Sequence, residues 1–229
     1  MQTGAFDTTA LSSKDLLAEA NHRVANSLAL LSGMVRMQAR ALGKGPAAPS
    51  TAELKLMFDG MAARISTIGQ LHRMLAHMPV DAAIPLDTHL RDITAMLVSA
   101  FSSEHQPVHV EHTGGACLVL TRHVQPLTLV VCEIITNALK YAHPAGGVPV
   151  RLTVECQSHG DGLLEVRVSD DGVGLPEGFD SQHGGGIGFQ LMRALTQEMG
   201  GTLQINSDTL GTTFCIKVPQ ALVANARSA

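Results

Sequence analysis

The sequence predicts an α+β protein in two parts. Residues 1–82 form a helical hairpin for dimerisation, two copies of which would make a four-helix bundle, and residues 83–229 form an α/β sandwich. Three observations predict this. Two long segments carry apolar residues at alternating steps of four and three. After the proline-bearing stretch "HMPVDAAIP" the pattern changes to helices mixed with period-two strands. Finally, 45% hydrophobic residues in 229 can supply a real core.

The first seam runs Leu17, Asn21, Val24, Leu28, Leu31, Val35, Gln38 and Leu42, with Ser12 or Ser13 able to cap its start. "GKGPAAPS" ends that helix and forces a loop. A second seam then follows, through Leu54, Phe58, Met61, Ile65, Ile68, His72 and Leu75. Two helices cannot cover such wide apolar faces, so two chains are expected to pair through them. In the second part, "LDTHLRDITAMLVSAF" reads as a helix, "VHVEH" as a short strand, and "TRHVQPLTLVVCEIITNALKYA" as mainly helix with Pro126 near its start. "VPVRLTVEC" and "LLEVRVSD" alternate as strands. "GFQLMRALTQEMGG" is a helix closed by Gly200 and Gly201, and "TLQINS" and "TTFCIKVP" are a last strand pair. The sheet should be rich in antiparallel pairs.

Charge and cysteine usage exclude several classes. A net charge of -4, with sixteen scattered Lys and Arg, offers no basic field for nucleic acid. Cys117, Cys132, Cys156 and Cys215 lie far apart in apolar runs with no CxxC, which reads as buried, reduced thiols and suits a cytoplasm. The N-terminus lacks a signal-peptide pattern and no run approaches the ~18 apolar residues of a membrane helix, so a cytoplasmic protein without membrane insertion is expected.

Four motifs can carry chemistry. Glu133 and Asn137 in "CEIITNALKYA" are one helical turn apart and leave the same face; a carboxylate and an amide oxygen suit magnesium or its waters, and Lys140 could reach a phosphate. "SDDGVGLP" ends a strand in Asp170, Asp171, Gly172 and Gly174, where glycines let backbone approach a flat ligand. "HGGGIGFQLM" places Gly184, Gly185, Gly186 and Gly188 at a helix start, whose free N–H groups favour phosphate. "LGTTF" puts Gly211, Thr212 and Thr213 at a strand start. Singly, each has a plain structural explanation: a solvated helix face, a tight turn, a flexible loop. Their order and spacing together resemble the N box, G1 box, G2 box and closing Gly-Thr element of the GHKL ATP-binding superfamily, over about Ile84 to Pro219. A dinucleotide fold would need a strand immediately before the glycines, and here the polar loop "LPEGFDSQH" precedes them.

The resemblance implies ATP and magnesium as cofactors. By it, Asn137 holds the magnesium that bridges the phosphates, and Glu133 positions water or supports the metal. Asp170 accepts from the adenine amino group, Gly172 and Gly174 line the base pocket, Lys140 reaches phosphate and Tyr141 lies against the nucleotide. Gly186 and Gly188 frame the lid, and Thr213 closes the adenine side. The segment between Gly174 and Gly186 is short and has no phenylalanine-rich box, although Phe179 is present.

In "EANHRVANSLALLSG", His22 sits beside the first seam, and Asn26, Ala29 and Gly33 continue its stripe with little bulk, so another protein surface could come close. A lone histidine there would be a surface residue. Joined to the ATP motifs, "EANHRVANSLALLSGMVRMQAR" resembles the acceptor helix of the histidine kinase subfamily with His-Arg-x-x-Asn, related to the HWE group, and "ISTIGQLHRML" its second helix. The resemblance implies an ATP-dependent histidine autokinase that phosphorylates His22 and passes the phosphoryl group to an aspartate of a response-regulator receiver domain. It implies a homodimer through the helical hairpin, with a stimulus that arrives through a separate sensor protein, through a further segment of chain or by direct binding to the helices. Arg23 would help with the incoming phosphate, and Asn26 would hold phosphate or water. An imidazole of ordinary pKa, ~6.5, is mostly neutral and nucleophilic near pH 7. Two rivals remain open: a phosphotransfer scaffold with a vestigial ATP domain, and a GHKL anti-sigma-type serine kinase. His105, His109 and His112 match no zinc spacing, and His72 reads as partly buried in the bundle.

Overall fold

The computed structural model describes residues 50–75, 82–101, 107–159, 162–180 and 184–219, together with 25, 28–29, 31–33, 35–36 and 39–40, which are helical. Helix α1 (Thr51–Leu75) has 25 residues and is therefore about 37 Å long. It carries two different faces. Gly60, Arg64, Thr67 and Ile68, spaced as one helical stripe, are buried. Phe58 and Ile65, on the predicted seam, are 59% and 53% exposed, as are Leu28 and Val35 of the first seam at 58% and 44%. The seam is thus not spent entirely within the hairpin. Ile68 belongs to the same apolar cluster as the second part of the chain.

Strand β1 (Ala83–Pro85) pairs antiparallel with β3 (Leu118–Leu120), Ile84 opposite Val119. Neither was expected, because three residues are too short to show a period. Helix α2 (Leu86–Phe101) buries Leu86, Leu90, Ile93 and Leu97 along one face. The main sheet has five strands in the order β2-β4-β5-β7-β6. They are β2 (Val108–Gly114), β4 (Val150–Ser158), β5 (Leu163–Asp170), β6 (Thr202–Asp208) and β7 (Gly211–Pro219). Only β2 and β4 run parallel, and the crossover between them contains helix α3 (Thr121–Tyr141); the other pairs are antiparallel, as the alternation predicted. Helix α4 (Ile187–Glu198) lies between β5 and β6 in the chain.

Alternation decides which face is covered. Val150, Leu152, Val154 and Cys156 of β4, Leu164, Val166 and Val168 of β5, and Phe214, Ile216 and Val218 of β7 are all buried in the core shared with the helices. The opposite face carries charge: Arg167 pairs with Glu165 at 2.5 Å and Glu155 at 3.4 Å, and Lys217 reaches Glu165 at 3.3 Å. Helix α3 is buried almost all round, from Leu127 to Thr136 without a break, because it is enclosed by the sheet and by α1, α2 and α4. All four cysteines are buried and free.

Candidate functional site

The site is built on the last two turns of α3. Glu133 has no exposed surface. Its carboxylate is held by Arg64 of α1, whose Nε donates to Oε1 and whose Nη2 donates to Oε2 at 2.5 Å. One turn on, the Asn137 Nδ2 is buried and has no hydrogen-bond partner. The start of α4 faces both: a Cβ at Gly188 would lie 2.8 Å from Glu133 Oε2 and 3.8 Å from Asn137 Nδ2. No side-chain hydrogen bond caps that helix, whose N-cap is the extended Gly186, with open space beside it. An orphan amide donor beside an uncapped helix start, approached where a side chain cannot fit, is an arrangement that suits an anion.

The second group of predicted residues gathers at the end of β5. The Asp170 carboxylate accepts from the backbone N–H of Gly172 at 3.0 Å and of Thr212 at 3.3 Å, both on Oδ1. Burial pushes its pKa up, against those two bonds. Gly172 is packed so closely on the end of α3 that a Cβ would lie 2.4 Å from Ala142 Cα, and Val173 N–H closes the contact on Ala142 O at 2.9 Å. Gly174 has φ of 76°, the left-handed region, and a side chain there would collide with Asp208 O. The neighbouring Asp171 accepts from Arg151 N–H at 2.9 Å and His143 Nε2 at 3.1 Å. Burial alone would raise its pKa, but these bonds lower it.

The remaining predicted residues divide. The Lys140 ammonium turns toward α1, where a Cβ at Gly60 would be 2.7 Å from its Nζ. Burial lowers its pKa, the Arg64 cation lowers it further, and Glu133 and Asp59 partly restore it. Tyr141 is largely exposed at the end of α3. Thr213 requires a correction. Strand alternation puts it on the charged face of the sheet, with its hydroxyl 2.9 Å from Ser169 Oγ, while the adjacent Thr212 is buried and meets Asp170. His22, Arg23 and Asn26 lie outside the described residues. Phe179 does have aromatic company: its ring is 5.0 Å from Phe189 of α4, which is 6.0 Å from Phe214 of β7. A cavity of about 750 Å³ between residues 173–179 and the β6–β7 hairpin is lined by neither Asn137 nor Asp170.

Two family models match the chain. Histidine kinase-, DNA gyrase B-, and HSP90-like ATPase covers residues 123–222, and Histidine kinase covers residues 19–101. The chain belongs to the histidine kinases. It is 29% identical over 92% of its length to the sensor histidine kinase PdtaS of Mycobacterium tuberculosis, of which it spans 40%. To blue-light-activated histidine kinase 2 of Erythrobacter litoralis it is 28% identical over 93% of its length, spanning 60% of that protein. The solved histidine kinase domain of the blue-light-activated kinase from Erythrobacter litoralis superposes with a TM-score of 0.67 at 25% identity, covering 91% of this chain and 96% of that one. Among the described residues, no helix of this histidine kinase is long and apolar enough to cross a membrane.

The ATPase family carries ATP binding, and the unpartnered Asn137 Nδ2 beside the uncapped start of α4 is a donor set of the kind that suits a phosphate chain. For magnesium the fit is divided: a carboxylate and an amide are ligand types it accepts through oxygen, but the unpartnered Asn137 atom is the nitrogen, a donor that suits phosphate, and both Glu133 oxygens are taken by Arg64. Sequence reasoning missed Arg64, and it placed Thr212 in the closing motif but gave the role to Thr213. The signal for Arg64 was an arginine in line with Gly60 and Thr67 on an apolar helix; for Thr212 it was the parity of the strand.

Proposed function

We propose that this histidine kinase binds magnesium–ATP in its second part, phosphorylates its own His22, and passes the phosphoryl group to an aspartate of a response-regulator receiver domain. The observation that carries the ATP reading is the buried, unpartnered Asn137 Nδ2 facing the uncapped start of α4. Gly188, lacking a side chain, lets the α4 backbone come within reach of the same point. Asp170 offers its carboxylate to the adenine amino group, with Oδ1 already fixed by two backbone N–H groups so that the oxygens cannot swing. Gly172 and Gly174 keep that wall of the base pocket free of side chains. Magnesium would be held by Asn137, supported by Glu133, and would offset charge on the phosphates. Among the described residues no three His, Cys, Asp or Glu converge on one point, so most of the metal's ligands would come from phosphate and water.

In the transfer step a neutral ring nitrogen of His22 bonds to the γ-phosphorus as the bond from that phosphorus to the β-phosphate oxygen breaks, and ADP leaves. The chain's contribution is positioning and charge neutralisation. The exposure of Leu28, Val35, Phe58 and Ile65 in one chain supports a homodimer through the hairpin. A cytoplasmic location completes the reading.

The test is incubation with labelled ATP and magnesium, comparing the wild-type chain with His22→Ala and Asn137→Ala. Acid-labile label should appear on the wild type alone. Equal label on His22→Ala would move the acceptor elsewhere, acid-stable label would point to a serine kinase, and a chain that binds no nucleotide would be a phosphotransfer scaffold.

A further inference from the structure

The carboxylate that should serve the metal is already engaged by the hairpin. Arg64 and Glu133 form a two-point ion pair in which the side chains are 10% and 1% exposed. On the α4 side, Gly188 backbone closes the approach to Oε2. A hydrated cation therefore finds no Glu133 oxygen to share while Arg64 remains. Nor can Arg64 simply leave, because an unpaired carboxylate with no exposed surface is strongly disfavoured. Release of the guanidinium therefore calls for another positive charge, or a proton, at Glu133.

We propose that Arg64 is a positioning residue that acts through Glu133: the site loads magnesium and nucleotide by exchanging the Arg64 ion pair for the metal, so the position of α1 and occupancy of the ATP site are coupled. The inference rests on the ATP reading above. Two further features of the interface support it. Lys140 and Arg64 converge on Gly60, where a methyl would lie 2.7 Å from Lys140 Nζ and 3.3 Å from Arg64 Nη1, so the two cations lie together, Glu133 acting on both and Asp59 on Lys140. When Arg64 withdraws, Lys140 stays to balance the charge of Glu133. One turn along α1, Thr67 and Ile68 are buried on their own account, with Cys132 Sγ donating to Thr67 Oγ1 at 3.6 Å. That contact holds the helix on α3 while the Arg64 end moves. By linkage, whatever factor the ion pair takes from magnesium–nucleotide affinity, bound magnesium–nucleotide takes from the hold of α1 on Glu133. A stimulus that shifts the hairpin thus reaches the ATP site without a separate relay.

The experiment uses the full chain and a non-hydrolysable ATP analogue, titrated with magnesium and with EDTA. Arg64→Gln should bind the magnesium-loaded analogue on the order of tenfold more tightly than wild type, within the 5–150-fold usual for coupled sites, with Arg64→Lys in between. Metal-free affinity should be unchanged. A measurement that needs no change at Arg64 places spin labels at Lys55→Cys of α1 and Gln157→Cys of β4, both exposed positions. The label distance should shift on adding magnesium and analogue, but not analogue alone. Unchanged or weaker magnesium-dependent binding by Arg64→Gln, as for an arginine that grips phosphate directly, would overturn the inference, and so would a label distance indifferent to magnesium. Either result leaves the ATP reading standing. A wild-type chain that binds no analogue would overturn both.

Discussion

Breaking the Arg64–Glu133 pair from one side should be far worse than removing it altogether. With side chains 10% and 1% exposed, both charges are almost fully desolvated. Removing one partner of such a pair costs about 3–5 kcal/mol, because the other charge is left buried alone, whereas replacing both with apolar groups is often neutral or stabilising. Arg64→Met and Glu133→Leu should each lose about that much, and the double variant should fall short of their sum by more than about 3 kcal/mol. The assay is urea unfolding followed by circular dichroism, at one protein concentration, since the chain is expected to dimerise. With a slope of about 3 kcal/mol per molar urea for a chain this long, each single variant should shift its midpoint by about 1 M or more, while the double variant stays near wild type. Energies additive to within about 0.5 kcal/mol would mean that the two side chains do not meet, and the packing of α1 on α3 would be refuted with them.

Other outcomes follow from the same structure. His89 is buried, its Nε2 2.8 Å from Thr128 Oγ1, and burial, only partly opposed by Asp92, lowers its pKa below 6.5. The unfolded chain therefore takes its proton first. Stability should fall as the pH drops below ~6.5, by up to about 1.4 kcal/mol per pH unit, and His89→Gln should flatten that slope in unfolding measurements; the lowered carboxylates Glu165 and Asp171 act only further down, from about pH 4. Asp170→Asn keeps an oxygen for the N–H groups of Gly172 and Thr212 but loses the charge, so nucleotide titrations should show affinity down about 10–100-fold, the worth of a charged hydrogen bond, with little change in stability. Ile65→Glu together with Phe58→Glu, on the exposed seam, should give a monomer in light scattering while the melting of the second part is unchanged.

The chemistry-bearing boxes were legible because each is local: Glu133 and Asn137 are one turn apart, and Asp170 leads directly into Gly172 and Gly174. The antiparallel strands were legible for the same reason, their alternation surviving as Val150, Leu152, Val154 and Leu164, Val166, Val168. What escaped was set by partners distant in sequence. Thr212 and Thr213 are chemically equal neighbours, and only the pairing of Asp170 with Thr212 across β5 and β7 tells them apart. Phe179, Phe189 and Phe214 form one run of tilted ring contacts drawn from a loop, a helix and a strand. The period of α1 pointed to the hairpin seam, while the stripe through Gly60, Arg64 and Thr67 serves a contact 69 residues away at Glu133.

Ile68 sits in one continuous apolar cluster with the second part of the chain. Cutting the protein at the linker and keeping residues 83–229 would therefore leave a wound rather than a clean edge: a bare carboxylate at Glu133, an unmasked thiol at Cys132, and a wet patch where Ile68 had been. Such a fragment should be less soluble and more readily oxidised than the parent, and its nucleotide affinity would describe a pocket freed from the grip of the hairpin.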